Sequence, residues 1–308
     1  MNKYMNLTRL EYLVTYKCSS KCKHCFNANI KEYDNHIEKD MALHVLDRIG
    51  REYKLNSVMT FGGEPLLFLD IVCAIHSKAR DLGVKSREVI TNAYWTRDPD
   101  QIKRTARELI DSGVNRILLS VDAFHQEYID ISIVKEVARL LLSYGIEDIK
   151  WNPCWVISKE DRNEYNLRTD EILSELDCLG IRQSSGNILS PRGGAISNLS
   201  KYLPSKNKLF DGKCSDIPYT DDLNTISSIC INPDGNVPIC PSFVLGNIKT
   251  DDILQIIRNY DPYSNRKMRI ILEKGMRGLL DEYISEKREL NGDGYYSMCD
   301  MCKDISIG

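Results

Sequence analysis

The residues most able to do chemistry come early in the chain. Cys18-Ser19-Ser20-Lys21-Cys22-Lys23-His24-Cys25 places three thiols at CxxxCxxC spacing. A structural zinc site takes four ligands, usually from CxxC pairs. Three cysteines on one tight loop suit instead a cubane [4Fe–4S] cluster with one iron left without a protein ligand, open to substrate or cofactor. His24 as a fourth zinc ligand is the competing reading.

A second group lies far downstream: Cys214, Cys230, Cys240 and the near-terminal pair Cys299-Asp300-Met301-Cys302. The chain holds 11 cysteines, an odd number that disulfides alone cannot absorb. Nothing in the sequence routes it to an oxidising compartment, so clustered thiols read as metal ligands in a reduced cytoplasm. Cys73, Cys154 and Cys178 are scattered and read by default as small buried hydrophobes. Two carboxylates also stand out. Glu64 follows Gly62-Gly63, and Asp122 ends a short apolar run. Each has a plainer reading, as a helix N-terminal charge and a helix cap.

Alternating strands and helices must position these groups. Strands are expected at 10–15, 57–61, 87–91, 115–122, 149–157 and 181–189. Helices are expected at 40–53, 68–82, 99–112, 131–144 and 163–178. That order implies βαβ units and a parallel sheet, curled by right-handed crossovers into part of a barrel with its function at the C-terminal strand ends. On strand five, Lys150, Asn152 and Cys154 share the face expected toward the lumen, while Trp151, Trp155 and Ile157 share the face under the helices. Cys154 could then donate a hydrogen atom to a substrate radical or be an inert core residue, and Pro153 disturbs the strand. Beyond the turn-rich link Ser190-Pro191-Arg192-Gly193-Gly194, a hairpin is expected from 224–231 and 236–240 around Asn232-Pro233-Asp234-Gly235. A helix over about 250–260 and a polar, charged segment follow. The expected domains are 1–190 and 191–308.

The first loop resembles that of the radical S-adenosylmethionine (radical SAM) superfamily, whose CxxxCxΦC follows the first strand of a partial (β/α)6 barrel. His24 stands at the Φ position. Gly62-Gly63-Glu64-Pro65 resembles the family's GGEP segment, which implies that these residues bind the methionyl ammonium of SAM. Thr91-Asn92 resembles Thr-Asn-Gly, with Ala93 replacing the glycine. Ser120-Val121-Asp122 ends strand four, where similar proteins contact the ribose or methionyl group. Strand five shows no clear Ile-x-Gly motif, so the resemblance assigns no adenine contacts there. The C-terminal part resembles a twitch domain, a shortened SPASM relative. That implies an auxiliary [4Fe–4S] cluster on Cys214, Cys240, Cys299 and Cys302, with Cys230 competing against Cys214 and a zinc ribbon as the alternative. Cys230, if spare, could be a hydrogen donor or structural.

The expected fold is therefore an α/β partial barrel followed by a small hairpin-and-helix auxiliary domain. The expected activity is reductive cleavage of SAM to a 5′-deoxyadenosyl radical, with hydrogen abstraction from a ribosomally made peptide. A small-molecule dehydrogenase acting, for example, on a sugar alcohol is the alternative. A glycyl-radical activase and a non-enzymatic iron–sulfur or zinc protein rank below both. The chain starts close to the first barrel strand, so no N-terminal peptide-recognition domain is expected. A net charge of −3 offers no footprint for nucleic acid. No apolar run approaches a membrane span, and no signal peptide is evident. A flavodoxin or ferredoxin is the expected electron donor, with Lys21 and Lys23 beside the cluster able to attract it or simply solvated.

Overall fold

The computed structural model describes residues 2–28, 30, 34–146, 148–207, 209–217 and 220–305. Its frame is a parallel sheet of seven strands in the order β7-β5-β4-β3-β2-β1-β9. The strands are β1 (Met5–Thr15), β2 (Ser57–Gly62), β3 (Ser86–Thr91), β4 (Arg116–Ser120), β5 (Asp148–Asn152), β7 (Arg182–Gln183) and β9 (Ile226–Ile231). Helices α1 (Lys39–Glu52), α2 (Leu69–Asp81), α3 (Pro99–Asp111), α4 (Ile131–Ser143) and α5 (Glu164–Leu176) alternate with them. The helices form where apolar residues recur at helical spacing behind a cap. In α3, Asp98 accepts a hydrogen bond from the Asp100 N–H, Pro99 opens the helix, and Ile102, Thr105, Ala106 and Leu109 are buried.

The two faces of the sheet differ because strand side chains alternate. Leu10, Tyr12, Val14, Val58, Val89, Ile117, Leu119, Ile149, Trp151, Ile229 and Ile231 enter the core with the helices. The opposite face carries ions. Glu88 on β3 meets Arg9 on β1 at 3.2 Å and Arg116 on β4 at 3.6 Å. Arg116 continues to Asp148 at 2.6 Å, and Lys150 meets Asp148 at 3.6 Å. Strands β1 and β3 are separated by β2, a gap of about 10 Å that the long Arg9 side chain and Glu88 bridge; with the helices packed on the other face, this is the inner, concave face of the partial barrel. Lys150 and Asn152 lie on it, as their period predicts.

The structure revises several expected elements. Strand five breaks at Pro153 into β5 and β6 (Cys154–Trp155), because proline cannot continue the ladder. Ile157 is exposed at a φ of 65° and does not pack under the helices. The sixth strand is two fragments, β7 on β5 and β8 (Asn187–Ile188) on β6. The hairpin is displaced. Ile226–Ile231 pairs parallel with β1, placing Cys230 opposite Glu11, and so joins the main sheet. The antiparallel pair is β10 (Asn236–Cys240) with β11 (Phe243–Asn247). Asn247 secures it, its Nδ2 donating to the Asp234 carbonyl at 3.1 Å and to Asn236 Oδ1 at 3.0 Å.

After the short α6 (Gly194–Asn198) and α7 (Ile253–Arg258), the expected polar segment is largely a helix, α8 (Arg266–Ser285), kinked at Gly275. Met268, Ile271, Met276, Leu279 and Leu280 bury its inner face. The kink interrupts the period, which is why the charges dominate a reading of the sequence. The CxxC pair lies on α9 (Met298–Asp304), which Ser297 caps through the Asp300 N–H. Among the described residues, no helix is long and apolar enough to cross a membrane.

Candidate active site

The chain leaves β1 directly into the first cysteine loop, which the end of β2 holds in place. The Gly63 N–H donates to the Thr15 carbonyl at 2.7 Å, and the Glu64 N–H to the Lys17 carbonyl at 2.8 Å. A Cβ on Gly63 would lie 2.1 Å from the Lys17 carbonyl oxygen, and one on Gly62 2.5 Å from that of Thr15. The glycines are therefore required by the approach of two backbones, not only by a ligand. Gly63→Ala should destabilise the protein by about 3 kcal/mol and lower iron retention, read by thermal melting and iron assay. Gly292→Ala, with nothing within 4 Å of its added Cβ, should leave both unchanged.

Glu64 is fully buried, and its hydrogen-bond donors among the described residues are neutral. Its Oε1 accepts from the Leu66 N–H at 2.9 Å and Thr91 Oγ1 at 2.8 Å, and its Oε2 from the Asn92 N–H at 2.8 Å. It thus caps the 3₁₀ turn Pro65–Phe68 and clamps β2 to β3. Burial pushes its carboxyl up to about 7 despite these bonds. A carboxylate so desolvated is suited to a cationic ligand such as an ammonium group. Asn92 extends the clamp, its Nδ2 lying 3.4 Å from Cys18 Sγ.

Cys18, Cys22 and Cys25 converge on one loop. Burial raises all three thiols, that of Cys22 to about 12; Cys18 and Cys25 raise Cys22 further, and Cys18 raises Cys25. Thiols held protonated this way become thiolates opposite a metal centre. Tetrahedral zinc at about 2.3 Å per bond needs sulfurs about 3.8 Å apart. The one group of three such donor atoms found within 4.8 Å among the described residues is His24, Asp122 and His125, and no cysteine belongs to it. The donor set fits a group of several metal atoms better than a single zinc.

Asp122 lies just beyond β4. It accepts from the Phe124 and His125 N–H groups at 3.0 Å, from the Cys154 N–H at 2.9 Å, and from His125 Nδ1 at 2.9 Å. It is therefore the cap of the following turn and the anchor of His125. Burial works against its charge, but His125 and His24 outweigh that and hold it at about 2. Burial likewise lowers His125, yet Asp122 raises it above its ordinary value. His125 was missed in the sequence; the available signal was a histidine three residues after a strand-end aspartate. His24 packs 4.7 Å from the Phe124 ring and 5.0 Å from the His125 ring. Among the described residues its Nδ1 is buried without a partner, and burial lowers its pKa to about 4. His24, Asp122 and His125 bring donor atoms within 4.8 Å of one another. The Asp122 oxygens are already engaged, so the group is an oriented Asp–His pair with a neutral imidazole against it. Ser120 ends β4 half-buried, paired with Asn152 on β5.

Cys154 is buried in a small apolar cluster with Cys22, Phe124 and Leu189 behind the cysteine loop. Burial raises its thiol well above the ordinary range, with Asp122 and Cys22 adding to the effect. Cys73 is half-buried, and Cys178 is exposed, against the expectation of a core residue: it follows the last turn of α5. Lys23 pairs with Glu127 at 2.8 Å.

The second cysteine group also has a defined geometry. Burial lifts the Cys214 thiol to about 12, with Cys302, Cys240 and Cys299 raising it further. Cys240 and Cys302 are likewise raised by burial and by their cysteine neighbours. Lys267, bonded to the Cys302 and Ile305 carbonyls, places a cation beside them. Cys230 stands apart. Its thiol is on the concave face, lifted to about 12 by burial and by Glu11, and 3.7 Å from Asn232 Oδ1. Among the described residues, no disulfide joins any of these cysteines.

Known proteins resemble this chain in part of its sequence and in its fold. A "Probable GTP 3',8-cyclase" of Saccharolobus islandicus is 26% identical over 191 residues, 57% of this chain and 59% of that protein. A GTP 3',8-cyclase of Vibrio parahaemolyticus is 28% identical over 51% of this chain and 48% of its own. The matches thus span less than two thirds of these relatives. Among solved structures, BtrN in complex with AdoMet and 2-DOIA superposes with a TM-score of 0.54 at 16% identity, covering 99% of this chain and 94% of BtrN. Streptococcus suis SuiB bound to S-adenosylmethionine gives 0.56 at 16% identity, covering 95% and 77%. These two likenesses concern the fold. The family model for the Radical SAM superfamily matches residues 12–166, just over half of the chain, and spans the cysteine loop and the ends of β1 to β4: the chain belongs to the Radical SAM superfamily.

Proposed function

We propose that this radical SAM enzyme is an oxidoreductase with a second [4Fe–4S] cluster on Cys214, Cys240, Cys299 and Cys302, acting on a ribosomally made peptide. The observation that carries this reading is the convergence of those four thiols from three separate stretches of chain, with Cys230 left outside. A second buried thiolate set is a place for the electron that a substrate radical must lose to become an oxidised product.

When bound, the first cluster supplies the electron that splits SAM into methionine and a 5′-deoxyadenosyl radical, which takes a hydrogen atom from a C–H bond. Cys18, Cys22 and Cys25 hold that cluster. Glu64 receives the methionyl ammonium, positioned by Thr91 and Asn92. Gly62, Gly63 and Pro65 shape its approach. Ser120 and His24 line the nucleoside side, and Asp122 acts there by fixing His125. Cys154, packed in an apolar cluster, supports the loop instead of supplying hydrogen. The concave face of the sheet receives the substrate, and Cys230 faces it. A flavodoxin or ferredoxin of the cytoplasm is the proposed reductant.

A small-molecule substrate is the second reading. It is favoured by the near-complete mutual coverage with BtrN, whose crystals contain 2-DOIA. Co-expression with a small peptide encoded beside the gene separates the two. The peptide reading expects loss of two hydrogens on crosslinking or oxidation, or uptake of one deuterium from heavy water on epimerisation. An unchanged peptide alongside turnover of a small sugar alcohol would overturn it in favour of the second reading.

A further inference from the structure

Ser19 and Ser20 lie between the first two cysteines of the loop. Ser20 is nearly buried, and its Oγ lies 3.4 Å from Cys18 Sγ and 3.4 Å from Cys22 Sγ. A hydroxyl has one hydrogen, so Ser20 can donate to only one of these sulfurs at a time. Asn92 supplies another donor. Its Nδ2 lies 3.4 Å from Cys18 Sγ, 3.2 Å from Ser19 Oγ and 3.5 Å from Ser20 Oγ. The orientation of this amide is determined by its other contacts. Asn92 Oδ1 accepts from the Tyr94 N–H at 2.8 Å, so the NH₂ end must face the sulfurs. The Asn92 backbone N–H is held in turn by Glu64 Oε2 at 2.8 Å.

We infer that Ser20 and Asn92 are positioning residues that form a hydrogen-bond relay onto the Cys18 and Cys22 sulfurs and raise the reduction potential of the cluster those sulfurs hold. The inference rests on the assignment of that cluster to Cys18, Cys22 and Cys25. Hydrogen bonds to thiolate favour the state with more negative charge, which is the reduced one. A site that must accept an electron before SAM is cleaved benefits from that bias. The relay also joins the two halves of the site, since Asn92 touches both Glu64 and Cys18.

The test is an EPR-monitored redox titration of the anaerobically reconstituted full chain, following the reduced signal that changes when SAM is added. Ser20→Ala should retain full iron but lower the reduced-to-oxidised ratio at a fixed poise about tenfold. Ser20→Thr, which keeps the hydroxyl, should restore most of that ratio. Asn92→Ala removes the other donor and should shift the ratio the same way, which tests the relay independently if Ser20→Ala loads iron poorly. Wild-type potentials in iron-replete Ser20→Ala and Asn92→Ala would overturn the relay and leave the cluster assignment standing. A wild-type chain without any SAM-sensitive signal would overturn the assignment, and the relay with it.

Discussion

Replacing Cys18, Cys22 and Cys25 together with alanine should abolish deoxyadenosine formation and lower the iron content from about eight to about four per chain. The measurement is anaerobic reconstitution, iron assay and chromatography of the dithionite-reduced protein with SAM. The effect should be complete because these three thiols are the proposed ligands, on a loop that Gly63, Glu64 and Asn92 tie to the ends of β2 and β3. Buried thiols raised as far as about 12 for Cys22 are poor ligands unless a metal centre stabilises the thiolate. Removing them removes the cluster that the proposal places against the sulfonium. A triple variant that still cleaves SAM would show that the reactive centre lies elsewhere.

Cys299→Ala should separate the two halves of the proposed reaction. SAM cleavage should stay within a few-fold of wild type, while product formation falls more than about tenfold. Cys299 and Cys302 are three positions apart on α9 and so face the same way, and Cys302 interacts with Cys214 and Cys240. Losing one of four ligands should leave the second set unable to hold its cluster. The first site should be spared because its loop is tied to β2 and β3, not to α9. Cys230→Ala is the matched control. Its thiol belongs to β9 opposite Glu11, so iron content should be unchanged. If Cys299→Ala leaves product yield intact, the second set takes no part in turnover.

Much of this arrangement could be read before any coordinates. The first five helices and the first five strands follow hydrophobic periods of 3.6 and 2, which are local properties. The strand-end motifs carried the cofactor assignments because, in a parallel sheet, the ends of successive strands lie side by side whatever the helices between them do. Residues 224–240 were harder. Asn232-Pro233-Asp234-Gly235 does form a turn, but a turn signal does not specify which strand its neighbours pair with. Ile226–Ile231 joins β1 because the edge of the main sheet buries Ile229 and Ile231, a gain no local pattern records. The kinked helix over residues 266–285 was hidden for a related reason, since Gly275 resets the period midway.

By itself, the amino-acid order determined which thiols could be ligands, where the glycine turns must fall, and that a parallel sheet would gather them. Only the tertiary structure placed Cys214 near Cys240, Cys299 and Cys302, and Cys230 on β9 opposite Glu11. It also decided that Asp122 serves His125, and that Gly62 and Gly63 exist for a neighbouring backbone. The physical reason is that these choices depend on contacts between residues far apart in the chain. Such contacts are set by which surfaces can be buried together, and that competition is resolved only when the whole chain packs.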